Sequence, residues 1–196
     1  MILTYQKALR KYKTTFYFQK ALKNGEIKRI DRGLYFKNND DKYNELEYVV
    51  KKFPNLIFTM DSAFYYLGIL KEKPKFYHLA SNRTSIRIKD TRFKKIIQYY
   101  QLDNIFKIGK TTLKVDRIKI NIYDRERLLI ELIRNRNKVD KKIYDEVITY
   151  YINNKNIINE KKLTRYIKKF KVNKTIIKTI NNSLNVTISV WHLFVK

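Results

Sequence analysis

Gln19, Lys20 and Lys23 are spaced so that a short helix would carry all three on one side. A glutamine amide in that position can bond both N6 and N7 of an adenine, and an ammonium can reach guanine or a phosphate. Thr14 and Thr15 begin the same segment, where hydroxyls and unpaired helix N–H groups can donate to an anion. Tyr17 adds a further hydroxyl. Lys28, Arg29 and Arg32 follow as cations able to hold a phosphate backbone. Phe16 would share the outer face with Gln19 and Lys20; it either precedes the helix or meets a thymine methyl. Lysine on the wet side of a helix is commonplace, so this face acquires meaning only from what surrounds it.

The surrounding elements are those of a helix pair and a hairpin. Thr4 can cap a first helix whose apolar positions are Tyr5, Ala8, Leu9 and Tyr12. Thr14 or Thr15 can cap a second, with Phe18, Ala21 and Leu22 inward and Gly25 as the left-handed stop. Ile27, Ile30, Leu34 and Phe36 fit a hairpin turning at Asp31-Arg32-Gly33. This order predicts an N-terminal winged helix-turn-helix over residues 1–40, in which a helix enters a major groove and the hairpin grips neighbouring phosphates. The polar run Asn38-Asn39-Asp40-Asp41 is the expected linker.

Beyond it, residues 41–196 predict a mixed α/β domain with a helical end, so the fold class is α+β. Leu46, Val49, Val50 and Phe53 mark a helix ending near Pro54, and Leu56–Thr59 a short buried strand. Asp61 or Ser62 is expected to cap a helix through Leu67 that stops at Gly68. With Tyr65 and Tyr66 the same residues admit a functional pocket, but a cap followed by core aromatics is the simpler account. Strand-like pieces follow at Phe76–Leu79, Ser85–Ile88, Ile96–Tyr99, Lys110–Val115 and Ile118–Ile122. From Asp124 the period is helical. Leu129, Leu132 and Ile133 line one helix, and Tyr144, Val147, Ile148 and Tyr151 a second capped by Asp140. Leu163, Tyr166, Ile167 and Phe170 line a third, and Ile177, Ile180 and Leu184 a fourth. Val186–Val195, including Trp191, alternates like a strand.

The charge supports a polyanionic partner. Lys and Arg number 44 against 18 Asp and Glu, an excess of 26 that would draw nucleic acid from a distance. An A/T-rich coding bias would raise lysine as well, so the distribution matters more than the total. The ends are densest: residues 1–40 hold ten basic and three acidic side chains, and 154–196 hold ten and one. Arg83, Arg87, Lys89, Arg92, Lys94 and Lys95 against Asp90 make a further patch. There is no cysteine, hence no disulfide or thiolate site. No signal-like or membrane-spanning apolar run occurs, and a cytosolic protein is expected.

Three strings, in this order and spacing, resemble the AbiEi-like antitoxins, transcriptional regulators of type IV abortive-infection toxin–antitoxin systems. They are Lys20–Tyr35 (KALKNGEIKRIDRGLY), Thr59–Leu70 (TMDSAFYYLGIL) and Tyr123–Arg136 (YDRERLLIELIRNR), the last followed by Tyr144–Tyr151. The likeness covers about residues 1–172. It implies a winged-helix domain on the operator of its own operon and a larger domain that antagonises a nucleotidyltransferase-like toxin without clasping it. Two departures stand out: only two helices precede the hairpin, and the tail after Phe170 matches nothing familiar. In that setting Arg125, Glu126, Arg127 and Glu131, dense charges beside a leucine stripe, read as an antitoxin surface. Arg127 and Glu131 alone read as an i, i+4 pair of the kind common on exposed helices.

Catalysis is not expected, and no metal or cofactor is implied. His78 and His192 lack a nearby Ser or Asp arrangement in sequence, and no P-loop, dinucleotide glycine pattern or HExxH is present. The alternative is a magnesium-dependent nuclease of a phage-defence system built from Asp90, Asp103, Asp116 and Glu126. An RNA-binding role is weaker, because most aromatics sit at core spacing rather than on a stacking surface.

Overall fold

Ile2–Thr4 forms a strand, β1, and the Thr4 hydroxyl accepts from Lys7 N–H to start α1, Tyr5–Tyr12. The computed structural model describes residues 1–37, 43–89 and 96–184 and is α+β. Lys13, at φ 63°, reverses the chain, and Thr14 caps α2, Thr15–Lys23, by accepting from Tyr17 N–H at 3.3 Å. Gly25, at φ 73°, ends that helix where a side chain would be strained. β2, Ile27–Asp31, and β3, Leu34–Lys37, complete an antiparallel sheet in the order β1-β3-β2.

β3 is the middle strand, and Leu34, Tyr35 and Phe36 are all buried. Tyr35 faces the helix pair, its ring 5.0 Å from that of Phe18, in a cluster with Leu3, Ala8, Ala21 and Ile27. The sheet's other side is covered by α3, Glu45–Lys52, capped by Asn44. Tyr43, preceding it, lies 5.9 Å from Phe36 and 5.8 Å from Tyr48 between ring centres. The first compact unit therefore comprises Met1–Leu56 with Asp116–Ile118, and so runs past residue 40. The cause is physical: without α3 one face of the sheet would leave its apolar side chains in water.

Asp31 fastens α3 to the hairpin. Its carboxylate accepts from the Tyr48 hydroxyl, from Lys52 Nζ at 2.6 Å and from the Arg32 N–H. Burial alone would raise its pKa, but the Lys52, Tyr48 and Arg32 hydrogen bonds and the Lys52 charge outweigh this and bring it from 3.8 down to about 2. The folded value lies below the unfolded one. The resulting stability is present above about pH 4 and is lost as pH falls through about 2. Asp31→Asn should cost about 1.5–3 kcal/mol at neutral pH. Melting curves should show the variant and the parent converging near pH 2; a constant gap down to that pH would refute the linkage.

The second unit is built on a five-stranded sheet. Its strands are β4 (Ile57–Phe58), β5 (Tyr77–Asn82), β6 (Ile96–Gln101), β7 (Lys110–Val115) and β8 (Ile118–Tyr123), ordered β6-β5-β4-β8-β7. β4 runs antiparallel to β5 and parallel to β8, while β5 and β6 are parallel. The helices are α4 (Met60–Tyr66), α5 (Asp103–Phe106), α6 (Arg125–Arg134), α7 (Lys141–Asn153), α8 (Glu160–Lys169) and α9 (Lys174–Leu184). α6 is the hub. It packs on α4, α8 and α9, and every residue from Glu126 to Ile133 is buried.

That burial corrects the expectation for the charged stretch on α6. Glu126, Arg127 and Glu131 are 5%, 0% and 3% exposed and Arg125 is half-buried, so they form no surface. The i, i+4 pair exists, with Arg127 Nη2 2.7 Å from Glu131 Oε1, but inside the core. Arg127 also donates to the Ile105 carbonyl at 3.1 Å and to Gln101 Oε1 at 3.0 Å, and its guanidinium lies over Tyr123 and Phe170 at 4.6 and 3.9 Å. Glu126 accepts from the Asn159 N–H at 2.9 Å and pairs with Lys162 at 3.1 Å. Gly109 is required beside this network: a Cβ there would stand 2.6 Å from Cβ of Arg127.

Other differences are local. Ser85–Ile88 is not a strand; Ile86 is 89% exposed, and the Ile88 N–H is held by the Gln98 side chain at 2.9 Å. The helix after β4 begins at Met60 following Thr59, so neither Asp61 nor Ser62 is its cap. The linker Asn38–Asp41, the patch members Asp90, Arg92, Lys94 and Lys95, and the strand expected over Val186–Val195 lie outside the described residues. Among the described residues no helix is long and apolar enough to cross a membrane.

Candidate nucleic-acid interface

All nine residues expected to touch DNA are exposed: Thr14, Thr15, Tyr17, Gln19, Lys20, Lys23, Lys28, Arg29 and Arg32. The reason lies in the packing of α2. Phe18 and Ala21 are 1% and 2% exposed against the sheet and α1, which turns Gln19, Lys20 and Lys23 outward. Phe16 lies within α2 rather than ahead of it, 70% exposed, with Tyr17 56% exposed and the two rings meeting edge-on at 5.5 Å.

The hairpin presents the other three cations. Arg32 and Gly33 form its tip, with Asp31 paired to Leu34 and Gly33 at φ 74°. The Gly33 carbonyl accepts from the Tyr5 N–H at 2.8 Å, which ties the tip to the start of α1. Ile30 is an extra residue between the Arg29–Tyr35 and Asp31–Leu34 pairs, a bulge that breaks the strand's alternation next to Arg29. Arg29 Nε donates to the Asp31 carbonyl at 3.3 Å.

Two of the unit's described carboxylates are engaged away from these cations, while Glu26 is exposed between α2 and β2. Asp31 is bound by Lys52 and Tyr48, and Glu47 pairs with Lys51 at 2.7 Å and accepts from the Ile2 N–H. None of Lys20, Lys23, Lys28, Arg29 and Arg32 forms an ion pair with a described carboxylate. The first turn of α2 contains no acid. The arrangement offers an anion five uncompensated cations, an amide and a helix N-terminus on a single unit.

The second unit holds a polar cluster that its sequence did not disclose. His78 Nδ1 lies 2.9 Å from the Tyr99 hydroxyl and its Nε2 lies 3.5 Å from Asp61 Oδ2. The Ser62 hydroxyl accepts from the His78 main-chain N–H at 2.8 Å, so the serine meets the backbone of this histidine and not its imidazole. Parallel pairing of β5 with β6 brings Tyr99 alongside, which no local pattern announces. Burial raises the Asp61 carboxyl despite the opposing His78 charge, and burial lowers the imidazole despite Asp61. Tyr99 is pushed up to about 12, first by burial and then by Asp61 and Glu131. Both directions favour neutral forms, and the hydrogen bonds tie α4 to β5 and β6. Asp61 and His78 also line a cavity of about 380 Å³ together with Lys73, Lys142 and Glu146.

The four acids of the nuclease alternative fare differently. Asp103 opens α5, Asp116 occupies the two-residue turn before β8 at φ 44°, and the Glu126 carboxylate is taken by Asn159 and Lys162. Asp90 lies outside the described residues, among which no group of three His, Asp or Glu residues is placed to hold a metal. No family model matches the chain, and no curated protein matches it.

Proposed function

We propose that the chain is a DNA-binding transcriptional autoregulator whose first unit is a winged helix-turn-helix, with α2 as its recognition helix and the β2–β3 hairpin as its wing. The observation that carries this reading is the exposed row Gln19, Lys20 and Lys23, flanked by Lys28, Arg29 and Arg32 and free of described acid partners. A lysine face of purely solvating character would sit equally well beside Glu or Asp. Here Asp31 pairs with Lys52 and Glu47 with Lys51, and exposed Glu26 makes no ion pair with the row or the hairpin cations. A helix so equipped can lie along base edges while the hairpin cations hold the backbone.

The antitoxin half of the proposal rests on the ordered motifs over residues 1–172, which resemble the AbiEi-like family. The second unit would oppose a nucleotidyltransferase-like toxin encoded nearby, without forming a complex with it. Two measurements on the full chain test the two halves. It should shift duplex DNA from upstream of its own gene, and it should restore growth to cells expressing the neighbouring nucleotidyltransferase. DNA shift without rescue would leave a regulator with no antitoxin role; rescue without a shift would remove α2 from the account.

A further inference from the structure

We infer that Phe16 is the residue through which α2 reads the 5-methyl groups of thymine, giving the protein a preference for thymine at fixed positions of its site. The inference deepens the DNA-binding reading and rests on it. Phe16, Gln19, Lys20 and Lys23 stand at i, i+3, i+4 and i+7, so the phenyl ring belongs to the row that would enter the groove. It lies in the first turn, the part of a recognition helix that meets base edges.

A phenylalanine 70% exposed contributes little to its own fold, whereas Phe18, two residues on, is 1% exposed and fills the core. The Tyr17 ring meets Phe16 edge-on at 74°, which restricts the phenyl group. Lys20, one turn ahead, is a cation rather than an apolar neighbour, and no acid occupies the first turn. The ring, with that of Tyr17 against it, is thus an exposed apolar group bordered by Lys20 and Lys23. A protein partner burying it would also have to accommodate Lys20 and Lys23, which a duplex does with phosphates. In the major groove the apolar group available is the thymine methyl, and phenylalanine is among the side chains that contact it.

The test uses the full chain and a duplex that it enriches from a random pool, synthesised once with thymine and once with uracil. Uracil keeps the same pairing and groove acceptors and lacks only the methyl. Affinity should fall about fourfold for each methyl contacted. Phe16→Ala should bind both duplexes with equal, reduced affinity, and Phe16→Leu should keep part of the difference. Because the site is on the surface, both variants should retain the parent's melting temperature. Equal affinity of the parent protein for the two duplexes overturns the role of Phe16 while leaving DNA binding intact. Failure to enrich any duplex overturns both.

Discussion

Replacing Lys20 and Lys23 together with alanine should weaken binding to duplex DNA by roughly 10- to 100-fold near 0.1 M salt. Both ammonium groups are exposed on α2, unpaired with any described carboxylate, and point away from the side that Phe18 and Ala21 bury. If each displaces counterions from one phosphate, the plot of log affinity against log salt should flatten by up to about two units. Alanine is the better helix former, so melting temperature should hold or rise slightly. A titration of the double variant across a salt series separates the possibilities. Unchanged affinity and slope would mean that α2 is not at the interface, whatever the hairpin does.

The second large effect concerns stability. Arg127→Ala should cost about 3–5 kcal/mol, because it strands the Glu131 carboxylate where water cannot replace the lost partner. Burial already presses the guanidinium toward its neutral form, against the opposing pull of Glu131 and Tyr123. The double change Arg127→Met with Glu131→Leu should be much milder, since it removes both charges and keeps apolar volume. Denaturant unfolding of the two variants measures the contrast. Equal losses would indicate that packing against Tyr123 and Phe170, at 4.6 and 3.9 Å, matters more than the ion pair.

What the sequence disclosed is what short-range physics controls. Thr4, Thr14 and Asp140 accept the helix-starting hydrogen bonds expected of them, and Gly25 stops α2 at positive φ. Phe18 and Ala21 are inside and Gln19, Lys20 and Lys23 outside, as their spacing requires. What stayed hidden depends on contacts distant in the chain. The Arg127–Glu131 spacing is the same on a bare helix as on one covered by α4, α8 and α9. Periodicity could not show that α3 closes the first sheet, because its apolar stripe would suit either unit. The Asp61, His78 and Tyr99 cluster joins residues as many as 38 apart through the parallel register of β5 and β6. The cap expected at Ser62 failed for the same reason: its hydroxyl serves β5 rather than its own helix.

If the proposed antitoxin role holds, the burial of α6 bears on how a growth-rescue screen is to be interpreted. Variants at Glu126, Arg127 or Glu131 would be found among the inactive ones simply because less folded chain survives proteolysis in the cell. Scoring them as contact residues would mistake shortage for lost recognition. Steady-state abundance, measured alongside growth, distinguishes the two. Positions that probe function apart from folding are solvent-facing ones on α7 and α8, such as Lys141 and Lys161.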